Sequence, residues 1–187
     1  EYASALYQGD FLPQDKKEAI AEKVAYFAGL SKELVLEQNL RIEKMSYLKQ
    51  VLKHKGLEVG LYDSRFTLPP NRDFSMENMV RDDAAQAQFA PPFVAAVSGP
   101  MKQMLNITFD RKFYGSAGIA SKSWNRTSKR HAAKSLSASM RRNPKLQVLF
   151  SSGYYDMQCK MGEARYMMSH ANLPLDRVKV SVYPSGH

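Results

Sequence analysis

The stretch KLQVLFSSGYYDMQCKMGEARYMMSHANLPLDRVKVSVYPSGH, residues 145–187, constrains this chain most. After Asn143-Pro144 it opens on a short apolar, β-rich run that ends at Ser-Ser-Gly. A helical pattern follows over roughly 160–171, and then a second β-rich run, RVKVSVYP, ends in Ser-Gly-His. Strand, helix and strand within about 40 residues make a βαβ unit. Its strands, 145–151 and 178–183, are expected to be parallel and its crossover right-handed.

Asp156 and His187 each fall just past the C-terminal end of one of these strands. Open α/β sheets place their ligands and catalytic groups there. Neighbouring parallel strands lie about 4.8 Å apart, so side chains on the loops leaving them can meet. A carboxylate that accepts an imidazole Nδ1–H fixes the tautomer and stabilises the imidazolium. An acid followed by a later histidine is also the chain order of α/β-hydrolases. Two polar loop residues without catalytic work would show the same order. The neighbours add weight: Gly153 lets the chain turn out of the strand, Tyr154 and Tyr155 fill space beside the acid, and Gly186 frees the backbone before the histidine.

The preceding residues, 1–142, read as mainly helical. KKEAIAEKVAYFA (16–28) sets Ile20, Val24 and Phe27 at helical spacing. Gly29 ends that helix and Ser31 caps the next, SKELVLEQN. RIEKMSYLKQVLKHKG places Ile42, Met45, Leu48, Val51 and Leu52 on one face, with Gly56 as a stop. LEVGLYDSRFTLPPNRDF reads as a short extended piece that breaks into a loop. In DDAAQAQFAPPFVAAVSGPMKQMLN the small residues suit helix packing, while Pro91, Pro92 and Pro100 should break or kink the helix. The fold class expected is therefore α/β and α-rich.

A net charge of +9 raises nucleic acid as a partner. Lys122, Arg126, Lys129, Arg130, Lys134, Arg141, Arg142 and Lys145 surround Trp124, the combination a nucleic-acid groove would use. No nucleic-acid motif accompanies the charge, and an amphipathic helix burying Ala133, Leu136 and Met140 is the preferred reading. No apolar run reaches the roughly 18 residues of a membrane-spanning helix. Residues 1–20 lack the order of a signal peptide, and Glu1 is not expected to be the native start. Cys159, the single cysteine, excludes an internal disulfide and a multi-cysteine zinc site. His54, His131 and His170 have no second ligand at i+4 and read as solvent-facing or capping. Arg41, Asp63 and Arg65 read as a lid salt bridge, of little worth if exposed. Asn106-Ile107-Thr108 and Asn125-Arg126-Thr127 are sequons that matter only in a eukaryotic secretory setting.

The Asn-Pro, strand, Gly-Tyr-Tyr-Asp, helix, strand, Gly-His ending resembles the serine carboxypeptidases, especially their bacterial members. NLRIEKMSYLKQVLKHKGLEVGLYDSRFT is similar to the segment leading into the bacterial enzymes' lid. The resemblance covers both ends of the chain well and the middle weakly. It implies a helical lid over 1–142 followed by 143–187, the last βαβ unit of an α/β-hydrolase sheet. It also implies Asp156 as the triad acid, His187 as the general base and a peptide substrate, with no metal or organic cofactor. Secretion or a periplasmic location is suggested by the resemblance alone.

Two departures stand out. Cys159-Lys160-Met161-Gly162 replaces the bacterial Thr-Pro that follows the acid, and is more like the fungal and animal enzymes. Cys159 is thereby a candidate substrate-site residue beside His187, with a buried inert cysteine as the alternative. The family's Asp-Pro-Ser lid segment becomes Asp82-Asp83-Ala84. Met161, Trp124 and Phe113 could shape an apolar pocket, though core packing suits each.

No Gly-x-Ser-x-Gly nucleophile elbow occurs; AAVSGP and FYGSAGIA have the wrong glycine spacing. The expectation is the C-terminal part of a carboxypeptidase-like hydrolase, inactive alone, which needs an upstream segment carrying the serine and continues past His187. Two strands with open edges need another polypeptide edge beside them, so the chain should dimerise, exchange segments or pack its βαβ unit against its own lid helices, and Ser185–His187 should be loose for want of a following helix. The alternatives are a non-catalytic helical domain that binds an acidic partner through its basic surface, and another α/β-hydrolase, an esterase or acyltransferase.

Overall fold

The computed structural model describes residues 1–70, 83–111, 113, 122–125 and 132–187. Four helices lead the chain: α1 (Tyr2–Gln8), α2 (Gln14–Ala28), α3 (Lys32–Glu37) and α4 (Lys44–Gln50). Gly29 ends α2 in the left-handed region, and the Ser31 side chain caps α3 by accepting from the Leu34 amide at 3.2 Å. Ala5, Leu12, Ile20, Ala21, Ala25, Val35 and Leu40 form the core of this part. The inward stripe of α2 thus runs Ile20, Ala21, Ala25, with Val24 partly buried against it. Phe27, expected on that face, is 84% exposed. α4 is shorter than its apolar pattern suggested. After Gln50 the chain passes through a 3₁₀ turn, Lys53–Lys55, and Gly56 ends it in the left-handed region.

Next comes a small antiparallel pair, β1 (Glu58–Val59) with β2 (Thr67–Leu68), so the extended piece is the base of a tight excursion over residues 60–66. α5 (Ala84–Ala96) is capped by Asp83, whose carboxylate accepts from the Ala85 and Gln86 amides at 3.1 Å each. Pro91 and Pro92 lie inside α5, so they do not break it. A π-helical turn, Val97–Met101, contains Pro100 and leads into α6 (Lys102–Met104). Widening the turn is a known way for a helix to absorb a residue that cannot donate.

In the C-terminal part the second strand falls where expected, while the first starts three residues later and ends two residues later than the expected 145–151. α7 (Ala132–Arg142) precedes β3 (Val148–Gly153), α8 (Met161–His170) and β4 (Val178–Tyr183). β3 and β4 pair in parallel from Val148–Val178 to Gly153–Tyr183. Leu146, Val148, Phe150 and Val178 pack with Leu136 against buried Met140, Met168 and Leu173. Arg177 holds the N-terminal end of this layer by donating to the carbonyls of Met140, Asn143 and Leu146 at 2.9–3.2 Å. The chain is therefore helix-rich with a two-stranded parallel sheet among the described residues.

Met140 is fully buried at the centre of the C-terminal core. Met140→Ala should lower unfolding stability by about 2–5 kcal/mol, read from urea denaturation followed by circular dichroism. A loss under about 1 kcal/mol would mean that this core collapses around the gap.

Candidate active site

β3 and β4 end side by side, and the loops that leave them are held together by main-chain bonds. The Tyr154 amide donates to the Tyr183 carbonyl at 2.9 Å, and the Tyr155 amide to the Ser185 carbonyl at 3.1 Å. Such closeness leaves no room for a side chain at Gly153: a Cβ there would lie 2.0 Å from the Ser185 carbonyl oxygen. Gly153 is thus needed for close approach between loops rather than for turning. The Tyr154 ring is largely exposed, and the Arg65 guanidinium carbon stands 4.9 Å from the centroid of the Tyr155 ring. Their backbones do the holding.

In this frame His187 Nδ1 lies 2.9 Å from Asp156 Oδ2. Asp156 is 5% exposed. Its Oδ1 accepts the amides of Gln158 at 2.7 Å and Cys159 at 2.8 Å, which leaves Oδ2 to the imidazole. Oriented donors on one oxygen and an imidazole N–H on the other suit a carboxylate, so Nδ1 carries the ring proton and Nε2 presents its lone pair. Among the described residues nothing hydrogen-bonds Nε2, and the side chain of His187 is 44% exposed. The pair could accept a proton at Nε2 and hold the resulting imidazolium.

The chain terminus is tied down, contrary to the expectation for Ser185–His187. Residues 61–65, Leu-Tyr-Asp-Ser-Arg, supply the anchor. The His187 amide donates to the Tyr62 carbonyl at 2.6 Å, and the Tyr62 ring meets the imidazole edge-on with centroids 5.2 Å apart. Gly186 rests on the same segment: a Cβ there would come within 2.5 Å of both Asp63 Cβ and the Tyr62 carbonyl oxygen. The other loop is gripped as well, because the Ser64 amide donates to the Tyr155 carbonyl at 2.9 Å and the Met157 amide to the Leu61 carbonyl at 3.1 Å. Asp83 secures the segment from behind, its carboxylate accepting the Leu61 amide. Asp82, expected beside it in the lid, lies outside the described residues.

Asp63 and Arg65 are not an exposed lid salt bridge. Asp63 is 1% exposed and takes three donors from Arg65: the backbone amide at 3.0 Å, Nε at 2.9 Å and an Nη at 2.6 Å. Arg41, grouped with them from the sequence, is not part of the pair. The Arg65 hydrogen bond holds the Asp63 carboxyl below the ordinary value of 3.8 even though burial pushes the other way. Sequence reasoning missed the importance of these residues. Only the local acidic–basic spacing of Asp-Ser-Arg hinted at it, and a partner so far along the chain leaves no periodicity to read.

Cys159 is exposed rather than buried. A ligand atom from each of Asp156, Cys159 and His187 lies within 4.8 Å of the other two. These residues could approach a soft metal ion, but both Asp156 oxygens already accept N–H donors, so they fit a hydrogen-bonded pair better than a resident ion. His54 and His170 are exposed, and His170 Nδ1 faces the Tyr166 carbonyl at 2.8 Å; His131 lies outside the described residues.

The basic residues described, Lys122, Lys134, Arg141, Arg142 and Lys145, are exposed, as is Trp124, while Arg126, Lys129 and Arg130 lie outside the described residues. Phe113 is 36% exposed and Met161 half-buried. No described helix is long and apolar enough to cross a membrane.

The lowered pKa of Asp63 gives a signed pH effect. A carboxyl with a folded-state pKa below its unfolded one adds stability above the unfolded value, and loses it as pH falls through the folded value. Asp63→Asn should therefore be less stable than wild type at about pH 7, with the gap shrinking below about pH 3.9. Urea midpoints across that range check this, and a gap independent of pH would count against it.

Comparison with protein-family models, with curated proteins and with solved structures finds no match for this chain.

Proposed function

We propose that Asp156 and His187 are the acid and base of a serine-type hydrolase whose nucleophile is supplied by polypeptide outside these 187 residues. The observation that carries the reading is the 2.9 Å bond from a solvent-open imidazole to a carboxylate braced by two amides. That bond leaves Nε2 free of described partners. A serine hydroxyl placed against Nε2 would give up its proton to it, and the leaving group would receive that proton back. Asp156 would keep the ring in register and balance the imidazolium charge.

The resemblance to serine carboxypeptidases makes a C-terminal peptide bond the favoured substrate, with an ester or acyl group as the alternative on the same scaffold. Cys159, exposed beside the pair, would line the substrate site. The sheet supports an incoming partner. β3 and β4 pair with no other described strand, so each keeps an unpaired outer edge among the described residues. Further strands, or in their absence a second copy of the chain, would cover this edge. An acidic macromolecule bound through Lys134, Arg141 and Arg142 has only their exposure in its favour.

The 187-residue chain alone should not be labelled by a fluorophosphonate. Produced together with the coding sequence upstream of Glu1, it should be labelled and should release C-terminal residues from blocked dipeptides. In that assembly His187→Ala should lower kcat by about 10⁶ and Asp156→Asn by about 10⁴, each with little change in KM. Near-normal turnover in either variant removes that residue from the mechanism.

A further inference from the structure

We infer that Asp63 and Arg65 are positioning residues for the Asp156–His187 pair, and that the Asp63–Arg65 unit sets the geometry of the histidine through the backbone of the loop that carries it. The inference rests on the reading of that pair as an acid–base unit, and it adds residues from a distant part of the chain. Arg65 reaches both sides of the site. Its Nη1 donates to the Pro184 carbonyl at 3.0 Å, and its Cζ stands 4.9 Å from the Tyr155 ring centroid. Pro184 lies three residues before His187, and Tyr155 directly precedes Asp156.

Asp63 completes the brace. Its side chain takes the Arg65 donors and packs directly against Gly186, where an added Cβ would lie 2.5 Å from Asp63 Cβ. One buried aspartate therefore backs the residue next to the histidine and binds the guanidinium that holds Pro184. The flanking bonds from Tyr62 to His187 and from Ser64 to Tyr155 come from the same five residues. Without Arg65 the buried Asp63 charge has lost its counterion, and the Pro184–Gly186 turn has lost its tie at the Pro184 carbonyl. A guanidinium fork is needed: an ammonium at this position could meet Asp63 or Pro184 as a point charge, but not in the same arrangement.

The test is the exchange with water of the His187 Nδ1 proton, followed by NMR on the folded 187-residue chain labelled with ¹⁵N-histidine. Wild type should show a protected Nδ1–H. Arg65→Ala and Asp63→Asn should speed its exchange by about tenfold or more, and Arg65→Lys should fall between them and wild type. Arg177→Ala is the control, because it removes three carbonyl contacts at the opposite end of the same strands. It should lower the urea midpoint without selectively speeding His187.

Exchange within about twofold of wild type in folded Arg65→Lys and Asp63→Asn would overturn the inference, as would equal loosening by Arg177→Ala. A wild-type chain without a protected Nδ1–H would overturn it together with the pair. Selective loosening in a chain that no assembly makes hydrolytic would leave the positioning role standing and sink the hydrolase reading.

Discussion

The backbone hydrogen bonds from residues 61–65 to the two loops leaving β3 and β4 are the constraint on which the site depends. Parallel pairing brings the strand ends together, but it does not decide where the following residues go. Met157 and Tyr155 are caught by Leu61 and Ser64, and His187 is caught by Tyr62. The meeting of Asp156 with His187 is thus a three-way junction between one early segment and two late loops. Each loop has the same reason to carry glycine at the junction. Main chain approaches main chain so closely at Gly153 and Gly186 that a methyl group would collide with carbonyl oxygens.

Electrostatics reinforces that junction from inside. A carboxylate buried as deeply as Asp63 would be costly alone, and the fork of Arg65 together with the Arg65 backbone amide answers it. Arg65 itself remains half-exposed, which weakens its Coulomb term but leaves the hydrogen bonds directional. The pair is better understood as fixing geometry than as a large reserve of stability. Asp83 extends the same logic backwards, since one carboxylate caps α5 and holds Leu61, so that the helix start and the site-bearing segment share a support.

Much of this was legible in the sequence, for physical reasons that differ by region. The βαβ unit reads clearly because β-branched and apolar runs bounded by Pro and Gly leave few alternatives, and the strand-end rule then places Asp156 and His187 together. The order of Ser185–His187 was not legible, because its anchor lies more than a hundred positions upstream and consists largely of carbonyls that any residue could offer. Phe27 misled because spacing identifies a stripe but not its edge; the small residues Ala21 and Ala25 took the inward face. Pro91 and Pro92 misled in the other direction: both sit inside an unbroken α5, and only Pro100 falls in the widened turn. A nucleophile remains the chemical element that neither the motifs of the chain nor its described residues bring to Nε2.

The most direct measurement of the central claim is the tautomer of His187 in the wild-type chain, read from its two ring ¹⁵N shifts and from coupling across the bond to Asp156. The account predicts a neutral ring protonated at Nδ1, coupled to the Asp156 carboxylate, with an imine-type Nε2 open to solvent. A ring protonated at Nε2, or one averaging freely between tautomers, would contradict it.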